Sequence, residues 1–196
     1  IPVWSVPDCQ IFGKDILKFH VTLFPAILLA LNLPLPKKYV VHSHWLIDGQ
    51  KMSKSLGNAI EPVGIINSVS IDSFRYYLLK RSNLDADSDF SLVELLKIHK
   101  NDLVDGLGNT VLRSLNPAFI DNFNSFNVKV NEQVLKLAES SLCAFNSCRF
   151  NTVIEYSLQI ISELNAYINQ TRPWELYKEN RTDDLRKCIE LILGHL

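Results

Sequence analysis

The chain has 196 residues, of which 47% are hydrophobic and 21% charged, and its formal net charge is −1. This is an ordinary globular composition, so any contact with nucleic acid must come from a local patch and not from a bulk positive field. No stretch approaches the ~18 consecutive apolar residues of a membrane span. The four cysteines show no C-x-x-C or paired zinc spacing, which favours reduced, mostly buried thiols of an intracellular protein.

Residues 1 to about 65 have the pattern of an α/β segment. The stretch "GKDILKFHVTLFPAILLALN", residues 13–32, has apolar residues at helical spacing, and Pro25 predicts a kink in that helix. The stretch "KKYVVHSHWLID", residues 37–48, alternates and is rich in β-forming residues, which predicts a single strand. Asp48 and Gly49 predict a turn directly after it.

From about Ser70 onward the pattern is helical. Asp72 is predicted to cap a helix over "SFRYYLLKR", and Ser91 with Glu94 forms an S-x-x-E capping box before a long helix. Asn116 and Pro117 are predicted to end that helix. Further helices are predicted at about 130–146, 150–170 and 182–196, the last with Thr182 and Asp183 at its start.

An i, i+4 apolar stripe on the long helix predicts the core of an antiparallel helical bundle. Its members are Leu103, Leu107, Val111 and Leu115. The expected fold is therefore α/β followed by an all-α bundle, mostly α overall, with domains at 1–65, 66–90 and 91–196. Both ends of the chain look cut, so we expect a piece of a longer protein.

The loop "DGQKMSKSLGN", residues 48–58, combines glycines, serines and lysines in a way that a protein core does not use. Lys51 and Lys54 would be costly to bury unpaired, whereas two lysines three residues apart can approach one polyanion together. With Gly49 and Gly57 beside them, they suit a mobile clamp on a triphosphate. The alternative is a solvated charged turn. The loop is not a Walker motif, because G-x-x-x-x-G-K-[ST] is absent.

Three segments together resemble the methionyl-tRNA synthetase family of class I aminoacyl-tRNA synthetases. "KMSKS" at 51–55 matches the signature loop of the class, and "GKDILKFH" at 13–20 and "HSHWLIDGQKMSKSLGN" at 42–58 match the methionine members. The resemblance covers essentially the whole chain. It implies ATP as substrate, with Mg²⁺ bound to the ATP, L-methionine as the second substrate, and tRNA(Met) as partner.

The resemblance implies roles for residues around the adenylate. Lys51 and Lys54 would stabilise the transition state in which the methionine carboxylate attacks the α-phosphate. Gly13 and Asp15 match positions near the ribose, and Trp45 falls near the strand that contacts adenine in the family, with its main chain as the contacting part. Ser53 and Ser55 are expected to shape the loop without reacting.

Ile16 and His20 match positions that line the methionine pocket in the family, and Phe24 is added to them because helical spacing places the three on one face. On the residues alone, His20 would more often be a core or capping histidine. His42 and His44 could in principle hold a metal, but two ligands at this spacing favour structural roles or a main chain near adenine. We therefore predict no metal site.

In the helical half, Asn109, Arg113 and Trp174 match the positions with which the family recognises the anticodon. Aromatic stacking and hydrogen bonds to base edges are the usual means of recognising unpaired bases. The alternative for Trp174 is an aromatic that packs against the bundle beside Pro173. Asn165 is assigned a structural role.

In the connecting segment, Arg75, Lys80 and Arg81 could meet the inner tRNA stem. The alternative is that "FRYYLLKR" is simply an amphipathic helix.

The chain also departs from the family. An H-I-G-H-type segment, most strands of the nucleotide fold and the insert that binds zinc in some members are missing. We therefore expect no adenylate synthesis by these residues alone. The α/β part should fold poorly without its neighbours, whereas the bundle could stand alone.

The function implied by the resemblance is methionine–tRNA ligase, an enzyme located in the mitochondrial matrix or, alternatively, in a bacterial cytoplasm. Two other hypotheses are a non-enzymatic helical module that binds tRNA and a class I synthetase for another amino acid. The sequence leaves the oligomeric state open.

Overall fold

The computed structural model describes residues 7–53, 55, 57–121 and 123–196. The described strands are β1 (Cys9–Gly13), β2 (Lys38–His42), β3 (Trp45–Ile47), β4 (Gln50–Lys51) and β5 (Ser88–Asp89). The described α-helices are α1 (Phe24–Ala30), α2 (Pro62–Ser68), α3 (Ile71–Arg81), α4 (Leu92–Ile98), α5 (Asn109–Ser114), α6 (Pro117–Ile120), α7 (Glu132–Asn146), α8 (Phe150–Thr171), α9 (Pro173–Lys178) and α10 (Thr182–Leu193). A 3₁₀ turn (Lys14–Ile16) and two π-helical segments (Phe19–Leu23 and His99–Gly108) complete the elements.

The chain forms two compact units. The first comprises Ile1–Gly64 and Arg81–Ser91, and the second comprises Ile65–Lys80 and Leu92–Leu196. The segment 66–90, for which we predicted a separate connecting role, is thus shared between the two units. The functional assignment of the three predicted domains stays a prediction.

The first unit is built on two small sheets. β1 and β2 pair in parallel with Cys9 opposite Lys38 and Gly13 opposite His42. β3 lies between β4, its antiparallel partner, and β5, its parallel partner. The predicted turn joins β3 to β4, since Asp48 and Gly49 both have positive φ (49° and 72°), as a tight hairpin requires.

The prediction of a single strand over residues 37–48 is wrong. The strand is interrupted at Ser43 and His44, and its two parts, β2 and β3, belong to different sheets. At the break, the Ser43 N–H donates to the Leu84 carbonyl at 3.1 Å, and the His44 carbonyl accepts from the Ser88 N–H at 3.0 Å. Pairing with this distant segment, which alternation along one strand cannot indicate, is the physical reason for the break.

The helical pattern of residues 13–32 is confirmed in part, since Gly13 ends β1 and the helical turns start at Lys14. The turns change type along the segment, from 3₁₀ through π to α. Pro25 lies in the first turn of α1, immediately after the π segment. Proline is tolerated there because its missing N–H is not needed in the first turn.

The second unit is helical, and its core lies where α8, α9 and α10 meet. One buried cluster comprises Leu164, Ile168, Cys188 and Ile192. The second cluster comprises Phe119, Leu185 and Ile189. Trp174 and Leu176 are partly buried and pack against both clusters. α7 packs against α8, and its first turn is capped by Asn131, whose side chain accepts from the Gln133 N–H at 2.8 Å.

Three further predictions, on a helix cap, on the apolar stripe and on the mostly buried cysteines, need correction. Ser70, and not Asp72, caps α3, because the Ser70 Oγ accepts from the Ser73 N–H at 3.2 Å. The leucine stripe is not core, since Leu107 and Leu115 are 40% and 43% exposed. The π segment before α5 adds residues to its turns and so rotates the helix surface, which brings Thr110 and Ser114 to the interior. Finally, of the four free cysteines, Cys188 alone is buried.

The end of the long helix is predicted correctly. α4, the π segment and α5 follow one another from Leu92 to Ser114. Asn116 then caps α6, because its side chain accepts from the Ala118 N–H at 3.0 Å, and Pro117 occupies the first turn. The helices predicted near 130–146, 150–170 and 182–196 correspond to α7, α8 and α10.

Candidate functional site

Asp15 lies at the centre of the candidate site in the first unit. Its Oδ2 accepts from the Lys51 ammonium at 2.6 Å, and its Oδ1 lies 2.6 Å from the His44 Nε2. Asp15 lies in the 3₁₀ turn (Lys14–Ile16) that follows β1, His44 precedes β3, and Lys51 ends β4. Two predicted site residues, 36 positions apart in sequence, are therefore in direct contact.

The charges of this cluster favour the ionised carboxylates. The hydrogen bond from Lys51 lowers the pKa of Asp15, with the charge of His44 acting in the same direction. The pKa of Asp87 is also lowered, by the hydrogen bond from Lys14 and by one from the His44 main-chain N–H. Both carboxylates consequently stay ionised and remain hydrogen-bond acceptors well below neutral pH.

Gly13 and Trp45 flank this cluster. A Cβ atom added at Gly13 would meet the His42 Cε1 at 3.5 Å, which is ordinary contact, so the protein's own packing does not require glycine there. A glycine at this position leaves space for a ligand to approach the main chain closely. Trp45 opens β3, and its ring contacts Phe90 edge-on with centroids 6.4 Å apart.

The three residues predicted to line the methionine pocket follow one another along the helical segment after Gly13. The His20 Nδ1 lies 3.0 Å from the Ile16 carbonyl oxygen, and the His20 ring stacks on the buried Phe12 with centroids 4.5 Å apart. Ile16 is 41% exposed, whereas His20 and Phe24 are half-buried. The structure thus places Ile16 and His20 in contact and fixes the His20 ring from its other side.

The lysine-bearing loop is closed by Asn58. Its side-chain oxygen accepts from the Ser53 N–H at 2.8 Å, and its side-chain nitrogen donates to the Lys51 carbonyl at 3.3 Å. The Ser53 and Ser55 hydroxyls are 2.7 Å apart. These contacts agree with a shaping role for the serines. Lys54, predicted as the main catalytic lysine, lies outside the described residues.

In the second unit, Arg113 and Trp174 are in contact. The guanidinium carbon of Arg113 lies 5.3 Å from the centroid of the Trp174 ring, a cation–π arrangement. The same guanidinium donates to the Asn169 side-chain oxygen at 2.7 Å and to that of Asn165 at 3.4 Å. Asn109 is exposed one turn before Arg113 on α5.

Lys80, one of the residues considered for the tRNA stem, pairs with Asp102, which also accepts from the Tyr76 hydroxyl at 3.0 Å. The side chains of Lys80 and Asp102 are only 24% and 15% exposed. Burial, with the neighbouring Asp102, raises the pKa of Tyr76. The charge of Lys80 is thus neutralised within its own unit, and Arg75 is exposed.

Sequence reasoning missed two groups of supporting residues. Lys14, Asp87 and the side-chain contact of His44 belong to the first unit, and Asn169 supports Arg113 in the second. The acidic "DADSDF" run at 85–90 was a usable signal, since its closely spaced carboxylates require cationic or N–H partners, which are Lys14 and the main chain at His44 and Gly49. Among the described residues, no group of three or more His, Cys, Asp or Glu could hold a metal ion.

Comparison with known proteins decides the family. A family model described as "tRNA synthetases class I (M)" matches residues 3–115, more than half of the chain. The chain belongs to this synthetase family. The matched residues include both the Asp15 cluster and α5.

The similarity of this class I synthetase chain to its relatives continues beyond residues 3–115. A methionine–tRNA ligase of Nostoc sp. is 32% identical over 97% of the chain. A probable mitochondrial methionine–tRNA ligase of Schizosaccharomyces pombe is 33% identical over 95%. The chain spans only 38% and 36% of these relatives.

The fold is also that of a class I synthetase. The structure of Mycobacterium tuberculosis methionyl-tRNA synthetase in complex with methionyl-adenylate superposes with a TM-score of 0.82 at 26% identity. It covers 96% of this chain, which spans 39% of that protein. No helix within the described ranges has the length and apolar character needed to cross a bilayer.

Proposed function

We propose that this chain is the C-terminal part of a methionine–tRNA ligase. The contact between Asp15 and Lys51 carries the proposal, because it joins the two segments expected to hold the ribose and the phosphates of ATP. The names of the relatives support methionine as the amino acid, and the methionyl-adenylate complex of the mycobacterial protein supports ATP as its co-substrate.

The proposed reaction has two steps. The methionine carboxylate attacks the α-phosphate of ATP, pyrophosphate leaves, and methionyl-adenylate forms. A hydroxyl of the terminal tRNA ribose then attacks the carbonyl carbon, and AMP leaves. In the first step Lys51 and Lys54 would lie against the phosphates, where negative charge increases in the transition state. Mg²⁺ enters as the ion bound to the substrate ATP.

The other predicted residues would orient the substrates. The ionised Asp15 is suited to accept from a ribose hydroxyl, Gly13 allows the main chain to approach the adenylate, and Trp45 would lie near adenine. Ile16, His20 and Phe24 would surround the methionine side chain. The ring of His20 is already fixed by Phe12 and the Ile16 carbonyl, which supports this orienting role.

The second unit would bind the anticodon of tRNA(Met). Arg113, whose orientation two asparagines fix, and Trp174, which offers an aromatic face, are the kinds of group that recognise unpaired bases by hydrogen bonds and stacking. Asn109, exposed on α5, would add hydrogen bonds to a base edge. Recognition of CAU is the expected specificity.

The first unit exposes several large apolar side chains, which supports its being part of a larger catalytic domain. Ile11, Ile27, Leu29 and Leu31 are 56–70% exposed. Exposed apolar surface of this extent usually packs against something. We therefore expect that these 196 residues alone show no ATP–pyrophosphate exchange, and robust methionine-dependent exchange by the isolated chain would contradict this.

The test of the proposed function is methionine-dependent ATP–pyrophosphate exchange by the full-length protein, with Lys54→Ala and with Asp8→Ala as the control. Asp8 forms an exposed ion pair with Lys37 in the same unit, away from the cluster. Lys54→Ala should abolish exchange and leave tRNA affinity unchanged. Unchanged exchange in Lys54→Ala would contradict the role of Lys54. No exchange in the parent protein, with tRNA binding retained, would favour a tRNA-binding module, and exchange with a different amino acid would favour another synthetase.

For the compartment, we propose the mitochondrial matrix, supported by the relative from S. pombe. The bacterial cytoplasm is the alternative, since bacterial relatives are equally similar. Fractionation of cells that express the tagged full-length protein would distinguish the two.

A further inference from the structure

Both carboxylate oxygens of Asp15 are occupied, but by partners of different kinds. Oδ2 pairs with Lys51, whose side chain is 59% exposed and belongs to the lysine-bearing loop. Oδ1 pairs with His44, whose side chain is only 20% exposed. The histidine can donate from Nε2 in the neutral form as well as in the charged form.

The main chain of His44 is fixed at both its N–H and its carbonyl group. Its N–H donates to the Asp87 Oδ1 at 2.8 Å, and its carbonyl accepts from the Ser88 N–H at 3.0 Å. The same Asp87 oxygen accepts from the Lys14 ammonium at 2.6 Å. Two neighbouring residues from a segment more than 40 positions away thus clamp the main chain that carries the His44 ring.

This arrangement adds little to stability. Ion pairs of a carboxylate as exposed as Asp15, at 45%, contribute only small amounts, because water already solvates that charge. What the contact does provide is a fixed direction for the Asp15 carboxylate. Lys51 cannot provide this during the reaction if its ammonium is drawn to the phosphates of ATP.

We infer that His44 is the positioning residue for ribose recognition, with Asp87 as its support. When Lys51 leaves Asp15 for the phosphates, His44 stays on Oδ1 and keeps Oδ2 aimed at a ribose hydroxyl. The inference rests on the proposed function. It assigns to the His44 side chain a role that the sequence did not predict, since a metal ligand, a structural role and a main chain near adenine were the roles considered for His44.

The experiment measures how strongly the full-length enzyme prefers ATP to 2′-deoxyATP and to 3′-deoxyATP, as ratios of kcat/KM in methionine-dependent exchange. One of these two ratios should be the larger in the parent enzyme, and it identifies the hydroxyl that Asp15 binds. Asp15→Ala should reduce that ratio by about 10- to 100-fold, the usual effect of losing a hydrogen bond to a charged group. His44→Phe should reduce the same ratio by about ten-fold, while KM for methionine and the melting temperature stay near the parent values.

Two further variants separate positioning from general damage. His44→Gln retains an N–H donor of similar reach and should restore most of the preference. The double variant Asp15→Ala/His44→Phe should lose no more than Asp15→Ala alone, because the histidine acts only through the carboxylate. The Asp8→Ala control should keep the parent ratio.

An unchanged preference in His44→Phe, beside a lost preference in Asp15→Ala, overturns the inference and leaves the proposed function intact. If His44→Phe fails to fold, Asp87→Ala replaces it, and an unchanged ratio in that variant has the same meaning. Absence of methionine-dependent exchange in the parent enzyme overturns the proposed function and this inference with it.

Discussion

Replacement of Trp174 by alanine tests the proposed anticodon site. The partly buried Trp174 ring packs against both core clusters and lies beneath the Arg113 guanidinium. The substitution therefore removes packing and a surface on which a base could stack. These two effects must be measured separately.

The substitution should weaken tRNA binding and lower folding stability by different amounts. Loss of one base–aromatic stack costs about 1–3 kcal/mol, which corresponds to a roughly 5- to 150-fold weaker Kd. Truncation of a fully buried tryptophan costs about 3–5 kcal/mol of folding stability. Because Trp174 is only partly buried, we expect roughly half of that.

The assay is fluorescence anisotropy of a labelled tRNA(Met) anticodon stem-loop titrated with full-length protein at fixed salt. Fixed salt is needed because phosphate contacts alone make affinity salt-dependent. Ile168→Ala is the matched control, since Ile168 is fully buried in the cluster that Trp174 covers. It should lower stability by about 2–5 kcal/mol and leave the Kd unchanged.

Trp174→Phe should fall between the parent and Trp174→Ala in affinity, because the smaller ring still offers a stacking face. A stem-loop with an altered CAU triplet should bind the parent weakly and Trp174→Ala no more weakly. Stacking of an anticodon base on Trp174 is refuted if folded Trp174→Ala binds the CAU stem-loop as tightly as the parent. It is also refuted if Ile168→Ala weakens binding as much as Trp174→Ala does.

Three other predictions concern particular contacts. Asp102→Ala should lower the free energy of unfolding by roughly 3 kcal/mol, as judged by urea denaturation, because it leaves the half-buried Lys80 without a counter-ion; a loss close to zero would be inconsistent with the contact. The pKa of Asp87 is lowered from its ordinary value of 3.8, so its contribution to stability exists above that pH and disappears as the pH falls through the folded-state pKa. The stability difference between the parent and Asp87→Asn, followed by acid titration, should shrink only below about pH 4; shrinkage near pH 6 would point to another group. Gly49→Ala should cost about 1 kcal/mol in the same urea assay, since φ is +72° although no atom of the described residues lies within 4 Å of the added Cβ; an unchanged midpoint would mean that the hairpin has a different turn.

Local sequence signals predicted what depends on neighbouring residues. The Asp48–Gly49 turn and the end of the long helix at Asn116 follow from turn and capping chemistry, in which a few adjacent residues decide the conformation. That Asp15 and Lys51 belong to one site was implied by a family resemblance, but their direct contact was not predicted. No spacing rule would have paired residues 36 positions apart.

What the sequence could not predict depends on distant pairing or on helix irregularity. The break at Ser43 exists because residues 84–88 pair there, and the support of His44 by Asp87 follows from the same pairing. The prediction that the apolar stripe forms the core depended on a uniform α-helix. The π segment instead rotates the helix surface, so that Thr110 faces the interior. Asn169 escaped notice because its partner Arg113 lies on another helix.

The most direct test of the account is a structure of the full-length protein with methionyl-adenylate bound. We predict that a ribose hydroxyl lies within hydrogen-bonding distance of the Asp15 carboxylate, that His44 still contacts that carboxylate, and that the methionine side chain lies beside His20. An adenylate ribose bound beyond hydrogen-bonding distance of Asp15 would contradict the account.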